Sequence, residues 1–382
     1  MTTLRPRVLW GSVGLLLWLS GAAFAQTAPV KLVKGPYLQD VTVTSITVMW
    51  ETREPGSSRV EYGPTPGYGH VASDPAPATI HKVTLGGLQP DTLYHYRVTG
   101  ANGSQVAARE DATFRTAVRP GAPFRFAAYG DSRSSPSDHA RVLTGLAARA
   151  PRFVLHTGDF VGDGDNYGLW QAEFFGPAAA LLRNTPLYPC LGNHEKNAEW
   201  YYRFFATPRG GGDHGQQWYS FDYGAAHFVV IDTDANFSPG SAQYAWLEND
   251  LKSARAEWLF AVHHHPAYSS GAHGSTRAVQ QYLVPLYQAY KVDMVFSGHD
   301  HLYERSFKDG VYYIVTGGGG APIYPGGLKR NPYRQYGKAA LHFCTVDING
   351  KTATLQAHRP DGTVFDSVVM RHGPEARAGG SG

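Results

Sequence analysis

Thiol is scarce in this sequence: Cys190 and Cys344 are the only cysteines in 382 residues. Two cannot form a disulfide scaffold, and no thiolate-rich metal site can be built from them. One bridge or two separately buried thiols both stay open, because sequence does not give the distance between their Cα atoms. Charge is scarce as well, with 17% Asp, Glu, Lys and Arg, a net of +3 and no basic run. That balance argues against nucleic acid or an anionic membrane surface as a partner. Beyond residue 24 no apolar stretch is long enough to cross a bilayer. Four consecutive glycines, Gly317 to Gly320, lack the Lys-Ser/Thr of a phosphate-cradling loop. They imply a flexible or closely packed loop and no nucleotide role.

What is present begins with a leader. Arg5 and Arg7 precede an uncharged apolar run through Leu15, Leu16, Leu17 and Leu19, and Ala23-Phe24-Ala25 supplies a small-x-small cleavage site. Residues 1–25 therefore read as a signal peptide, and the mature chain as secreted or periplasmic without a membrane span. Losing two arginines from a net charge of +3 leaves +1. The length exceeds one typical domain, so two are expected.

Residues 30–116 alternate as half-buried strands do, with Ile46, Val48 and Trp50 on one face and Thr47, Met49 and Glu51 on the other. Gly35-Pro36, Glu54-Pro55-Gly56, Gly63-Pro64, Gly86-Gly87 and Gln89-Pro90 punctuate the pattern, which predicts an all-β sandwich. The run Leu88-Gln89-Pro90-Asp91-Thr92-Leu93-Tyr94 resembles the tyrosine corner of fibronectin type III domains, giving Tyr94 a structural role. No metal or acid/base constellation falls here, so this domain is expected to position or shield the next.

Residues 117–123 read as a linker, and 124–372 as an α/β domain of short apolar strands separated by helices. Ser135 is the expected cap of a helix that begins at Pro136 and buries Val142, Leu143, Leu146 and Ala147. Strands are predicted at 124–129, 153–156, 187–191, 228–231, 258–262, 292–296 and 312–316, and further helices at 242–255 and 276–290. Asn349-Gly350 and Pro360-Asp361-Gly362 predict hairpins near the end, and 373–382 a disordered tail.

Ligands in α/β sheets gather beyond the carboxyl ends of strands. Five predicted strands end in ligand-type residues: Gly130-Asp131, Gly158-Asp159, Gly192-Asn193-His194-Glu195, His263-His264-His265 and Gly298-His299-Asp300-His301. Any one could be an ordinary turn. Five in one domain point to a metal site of imidazole, carboxylate and amide donors, which suits Zn²⁺, Mn²⁺ or Fe²⁺.

The order GD, GD, GNHE, HHxP, GHDH resembles the calcineurin-like metallophosphoesterase superfamily. The preceding fibronectin-like domain and the phrase GHDHLYERS are similar to the purple acid phosphatase group. The resemblance implies two mixed β-sheets flanked by helices and a centre of two divalent metal ions. It implies that Asp159 bridges the ions, that Asp131 and His301 bind the first, and that Asn193, His264 and His299 bind the second. His264 is taken from the triplet because it lies two residues before Pro266 and four before Tyr268. His194 and His273 are the implied catalytic groups, with Arg133 and His265 on the substrate. The group's tyrosine ligand, three after the bridging aspartate, is here Gly162, and the histidine that other members place two after the first aspartate is Arg133. Without tyrosinate a colourless protein with an open first position is expected, Asp163 and Asp165 being nearby substitutes.

The implied activity is hydrolysis of small phosphomonoesters by a metal-bound hydroxide. Two divalent ions, two carboxylates and a hydroxide would leave a net +1 to attract a phosphoryl dianion. A phosphodiesterase using the same centre, and a catalytically impaired cell-surface binding protein, are the alternatives. Oligomeric state is not readable.

Overall fold

The computed structural model describes residues 1–3, 32–99, 112–325 and 327–373. The predicted signal peptide lies almost wholly, and the tail beyond Gly373 wholly, outside the described residues. No helix among those described is long and apolar enough to cross a membrane.

Five strands form the N-terminal domain: β1 (Leu32–Gln39), β2 (Ile46–Gly63), β3 (His70–Leu85), β4 (Leu93–Thr99) and β5 (Ala112–Arg115). They make one hydrogen-bonded network in the order β1-β2-β4-β5, with β3 paired to β2. The first half of β2 pairs with β1 and its second half with β4, while β3 follows it throughout. Glu54-Pro55-Gly56, expected between strands, lies inside β2, where the register shifts between Glu51 and Gly56. Proline has no N–H to donate and glycine no side chain to pack, so the ladder breaks there while the hairpin continues. Trp50 stacks on His81 inside, and the Tyr94 hydroxyl accepts the Gln89 N–H at 3.0 Å, closing the tyrosine corner.

The outer face of β1 and β2 is buried too, because the second domain covers it. Tyr37 and Met49 share a core with helical residues of that domain. The Tyr37, Tyr96 and Tyr188 hydroxyls donate across the boundary to the carbonyls of Phe204, Arg183 and Val41 at 2.7–2.8 Å. Lys34 and Glu51 pair at 2.5 Å beneath Tyr167, whose hydroxyl also donates to Glu51. Ala117 and Val118, within the expected linker, are buried in the core both domains share. The β-domain is thus a fixed wall of the second domain, docked on its helical side.

That second domain holds two mixed sheets. One has the order β18-β17-β16-β6-β7-β8, from β6 (Phe124–Tyr129), β7 (Val154–His156), β8 (Leu187–Pro189), β16 (Phe343–Asn349), β17 (Thr352–His358) and β18 (Val364–Arg371). The other runs β15-β13-β14-β12-β11-β10-β9, from β9 (Tyr219–Tyr223), β10 (Ala226–Val230), β11 (Trp258–Val262), β12 (Met294–Ser297), β13 (Tyr303–Lys308), β14 (Val311–Thr316) and β15 (Arg334–Lys338). Strands β6 to β8 are parallel, as are β10, β11, β12 and β14. Aromatics interlock between the sheets: Phe126 meets Phe228 edge-on at 5.2 Å, and Tyr188 stacks on Phe221 at 3.7 Å. Cys190 and Cys344 are both free and buried in this layer, so no bridge forms.

Helices cover the outer faces: α1 (Pro136–Ala147), α2 (Tyr167–Leu169), α3 (Gly176–Leu182), α4 (Glu199–Phe204), α5 (Ala242–Ser253) and α6 (Arg277–Ala289), with a π-helical turn at Trp170–Phe175. Helix α1 buries Val142, Leu143 and Leu146 as expected, but Ala147 is exposed and His139 takes the remaining inward place. Ser135 bonds the Asp138 carboxylate instead of capping a backbone N–H.

One ion-paired group outside the sheet cores gives a pH test. His227 on β10 sits between Asp222 at 2.7 Å and Asp250 at 2.8 Å. Burial opposes its charge, but the two carboxylates raise it from 6.5 to about 9. The folded protein then holds the proton more tightly than the unfolded chain. Its contribution is full below pH 6.5, shrinks as pH rises and is lost above about 9. His227→Gln is expected to cost about 1–2 kcal/mol at pH 6, discounted for exposed Asp222, and almost nothing at pH 9.5. Thermal melts at the two pH values check this, and equal losses would overturn it.

Candidate metal centre

The parallel strands of both sheets end at one place. Strands β6 and β7 deliver Asp131 and Asp159, the loop after β8 delivers Asn193, and β11 and β12 deliver His264, then His299 and His301. Asp131, Asp159 and His299 adopt left-handed backbone conformations, with φ of 56°, 59° and 70°. Three such residues at one site store strain that the surrounding packing must hold. The glycines beside them allow the close approach. A Cβ at Gly298 would strike the Asp131 carboxylate, and one at Gly192 would strike that of Asp159. The same holds for Gly317, whose Cβ would meet Asp131 and the Asp300 carbonyl. The four-glycine loop is therefore closely packed, tied down by Gly319 N–H on the Gly130 carbonyl and Ala321 N–H on that of Asp131.

All six expected ligands come together. Asp131, Asp159 and His264 offer ligand atoms within 4.8 Å of one another. Asn193 Oδ1 lies 3.1 Å from His264 Nε2 and 3.0 Å from His299 Nδ1, and those two nitrogens are 3.3 Å apart. His301 Nε2 is 3.6 Å from Asp131 and His264 Nε2 is 3.3 Å from Asp159. The inward nitrogens are fixed from behind: His264 Nδ1 donates to the Thr157 carbonyl and His301 Nδ1 to that of Pro322, both at 2.8 Å. Each Nε2 lone pair then faces the centre.

The electrostatics fit cations. Burial and then the neighbouring imidazoles push His299 down to about 2, and burial pushes His301 down to about 4, so both rings stay neutral and ready to ligate. Burial, then the Asp159 charge, raises Asp131 well above the usual carboxylate range. Two carboxylates almost wholly removed from water, surrounded by neutral lone-pair donors, are costly unless positive charge is bound among them. The donor set is oxygen and nitrogen without sulfur, which suits divalent Zn, Mn or Fe.

The other expected residues sort differently. His194 donates Nδ1–H to the Gly162 carbonyl at 2.8 Å, leaving Nε2 3.8 Å from Asp159. His273 is exposed on a loop, its ring 4.2 Å from that of His299. His265 bonds Thr233 and lies 4.5 Å from the His299 ring, while His263 is fully buried beside Tyr287. Arg133 lies over Asp159 and His301. Gly162 gives its N–H to Glu173, and Asp163 is turned to Lys196 at 2.9 Å.

Sequence reasoning passed over the supports. Glu195 accepts the N–H groups of Gly192, Asp159 and Phe160, each at 2.8 Å. Buried Asp300 accepts Ser269 Oγ and the N–H groups of His273 and Gly274, and Glu304 takes those of Ser270, so the His273 loop is pinned. Tyr324 donates to the His299 carbonyl and stands 4.5 Å from the His301 ring. Two of these supports lie inside the ligand motifs: Glu195 in Gly192-Asn193-His194-Glu195 and Asp300 in Gly298-His299-Asp300-His301.

Two mixed sheets with donors converging at their shared strand ends define a metallohydrolase-type α/β fold. The profile described as Calcineurin-like phosphoesterase matches residues 124–303, and that described as Purple acid Phosphatase, N-terminal domain, matches 36–116. Acid phosphatase type 7 of Mus musculus is 28% identical over 400 residues, spanning 85% of this chain and 87% of that protein. Purple acid phosphatase 23 of Arabidopsis thaliana is 30% identical over 291 residues, 63% of this chain and 62% of that one. The structure of purple acid phosphatase PPD1 from yellow lupin (Lupinus luteus) seeds shares the fold at a TM-score of 0.76 and 21% identity, covering 90% of this chain and 74% of that one. The chain belongs to the calcineurin-like phosphoesterases, in the branch that carries a purple acid phosphatase N-terminal domain. It is placed thereby with the metal-dependent phosphoric ester hydrolases.

Proposed function

We infer that the chain is a secreted or periplasmic phosphatase that hydrolyses small phosphomonoesters at a centre of two divalent ions. The observation that supports this most is the meeting of Asn193 Oδ1, His264 Nε2 and His299 Nδ1 within 3.3 Å of one another, beside two buried carboxylates. In this reading Asp159 serves both ions, Asp131 and His301 the first, and Asn193, His264 and His299 the second. Such ions supply Lewis acidity and an activated water at neutral pH.

The remaining chemistry falls to the chain. His194, anchored through Nδ1, presents Nε2 at the edge of the centre, where it can hold a proton for the leaving oxygen. His273 stands against the His299 ring on a loop pinned by Asp300, and His265 stands on His299 as well, so that either could meet a phosphoryl oxygen held at the second position. Secretion rests on the leader of residues 1–25.

Elemental analysis of the purified chain, run beside hydrolysis of an aryl phosphate and an aryl phosphodiester, tests the reading. Divalent metal near two per chain is expected, with monoester cleavage dominant and lost in Asn193→Ala. Diester preference would move the activity to the phosphodiesterase alternative. No metal and no cleavage after metal addition would overturn the reading in favour of a binding protein.

A further inference from the structure

The two halves of the centre are not equivalent. Around Asn193, His264 and His299 the inward donor atoms face one another, and among the described residues no Lys or Arg side chain hydrogen-bonds to them. Around Asp131, Asp159 and His301 the Arg133 guanidinium is already in place. Its Nε donates to Asp159 Oδ2 at 3.3 Å and its Nη2 to His301 Nε2 at 3.3 Å. Because His301 Nδ1 is committed to the Pro322 carbonyl, the lone pair that Arg133 takes is the one a metal would need. Arg133 is largely shielded, with its side chain 18% exposed, and Asp159 is 2% exposed, so water screens this ion pair weakly. Nor does residue 162 add a donor: Gly162 has no side chain, and its N–H and carbonyl are taken by Glu173 and His194.

We propose that Arg133 is a built-in competitor for the first metal position, so that the two ions bind with unequal affinity and the first must displace the guanidinium from Asp159 and His301. The inference rests on the two-ion reading above. A metal entering the first position breaks two hydrogen bonds from a charged donor and brings its own charge beside a fixed one, whereas the second position requires neither. Each such contact is worth about tenfold or more in binding. The chain would therefore hold one ion tightly and the other only when metal is plentiful, and the arginine freed at that moment has the forked geometry that phosphate oxygens accept.

Titration of the chelator-stripped full chain with Mn²⁺, followed by calorimetry and by the spin resonance of free Mn²⁺, reads this without any substrate. Wild type is expected to take up Mn²⁺ in two steps separated by about tenfold or more. Asn193→Ala should lose the tighter step. Arg133→Ala should strengthen the weaker step and narrow the gap, and Arg133→His, which replaces the guanidinium with an imidazole ligand, should narrow it further. Two equally tight steps in wild type, or unchanged weaker-step affinity in both Arg133 variants, would overturn the proposal while leaving two ions in place. Absence of Mn²⁺ binding in wild type and variants alike would instead overturn the two-ion reading itself.

Discussion

Asp159→Asn is expected to lower phosphomonoester turnover by on the order of a thousandfold or more, about 4 kcal/mol of lost charge stabilisation. Asp159 reaches both halves of the centre. Its Oδ1 lies 3.3 Å from His264 Nε2, and its Oδ2 accepts from Arg133, which continues to His301. Amide for carboxylate removes one of the two carboxylates among the expected ligands and turns an N–H₂ toward donors that already point inward. Metal uptake should therefore fall together with turnover. The apoprotein should unfold near the wild-type midpoint, because burial and Asp159 together are what burden Asp131, and the substitution relieves that repulsion while losing the Arg133 pair. Steady-state rates, metal content and denaturant midpoints measured on one preparation check all three. A variant that kept full metal content and lost less than about tenfold in rate would show that the carboxylate does not link the halves.

The convergence of the six expected ligands is legible in the sequence because each follows a short apolar strand. Period-2 alternation marks the strand, and a glycine followed by an acid, amide or imidazole marks where it stops being buried. Strands β6 and β11 match their expected spans to the residue. Features governed by partners distant in sequence were less legible. Helix α4 carries an aromatic run that only makes sense against Tyr37 and Phe175. Strand β2 runs through Pro55 because β3 follows it on the other side, and Met49 faces inward because a second domain covers it. Ala147, expected on the buried face of α1, is exposed, and His139 turns inward instead. Above all, nothing in the order of residues says that the arginine two after Asp131 folds back over Asp159 and His301 instead of facing outward.

Glu195→Gln is expected to destabilise the apoprotein by about 3–5 kcal/mol and to weaken metal binding by about 10–100-fold, although Glu195 is not among the expected ligands. Its carboxylate is wholly buried. Oε2 accepts the N–H groups of Gly192 and Asp159 and Oε1 that of Phe160, with Val161 N–H at 3.4 Å. Burial and the Asp159 charge push it up while these N–H groups pull it down. With donors on both oxygens and no acceptor placed for an acid proton, the geometry fits the ionised form. That carboxylate ties the loop after β7 to the loop after β8, the segments that carry Asp159 and Asn193, and so sets the spacing between the two halves of the centre. Glutamine keeps the shape but turns an N–H₂ toward backbone N–H groups, leaving buried donors unpaired. The contrast with Asp159→Asn is the test: one substitution should spare apoprotein stability and abolish activity, while the other should cost stability even in chelator. Equal denaturant midpoints for Glu195→Gln and wild type without metal would mean the two loops keep their spacing by packing alone, with the left-handed turns at Asp131 and Asp159 held by the strands around them.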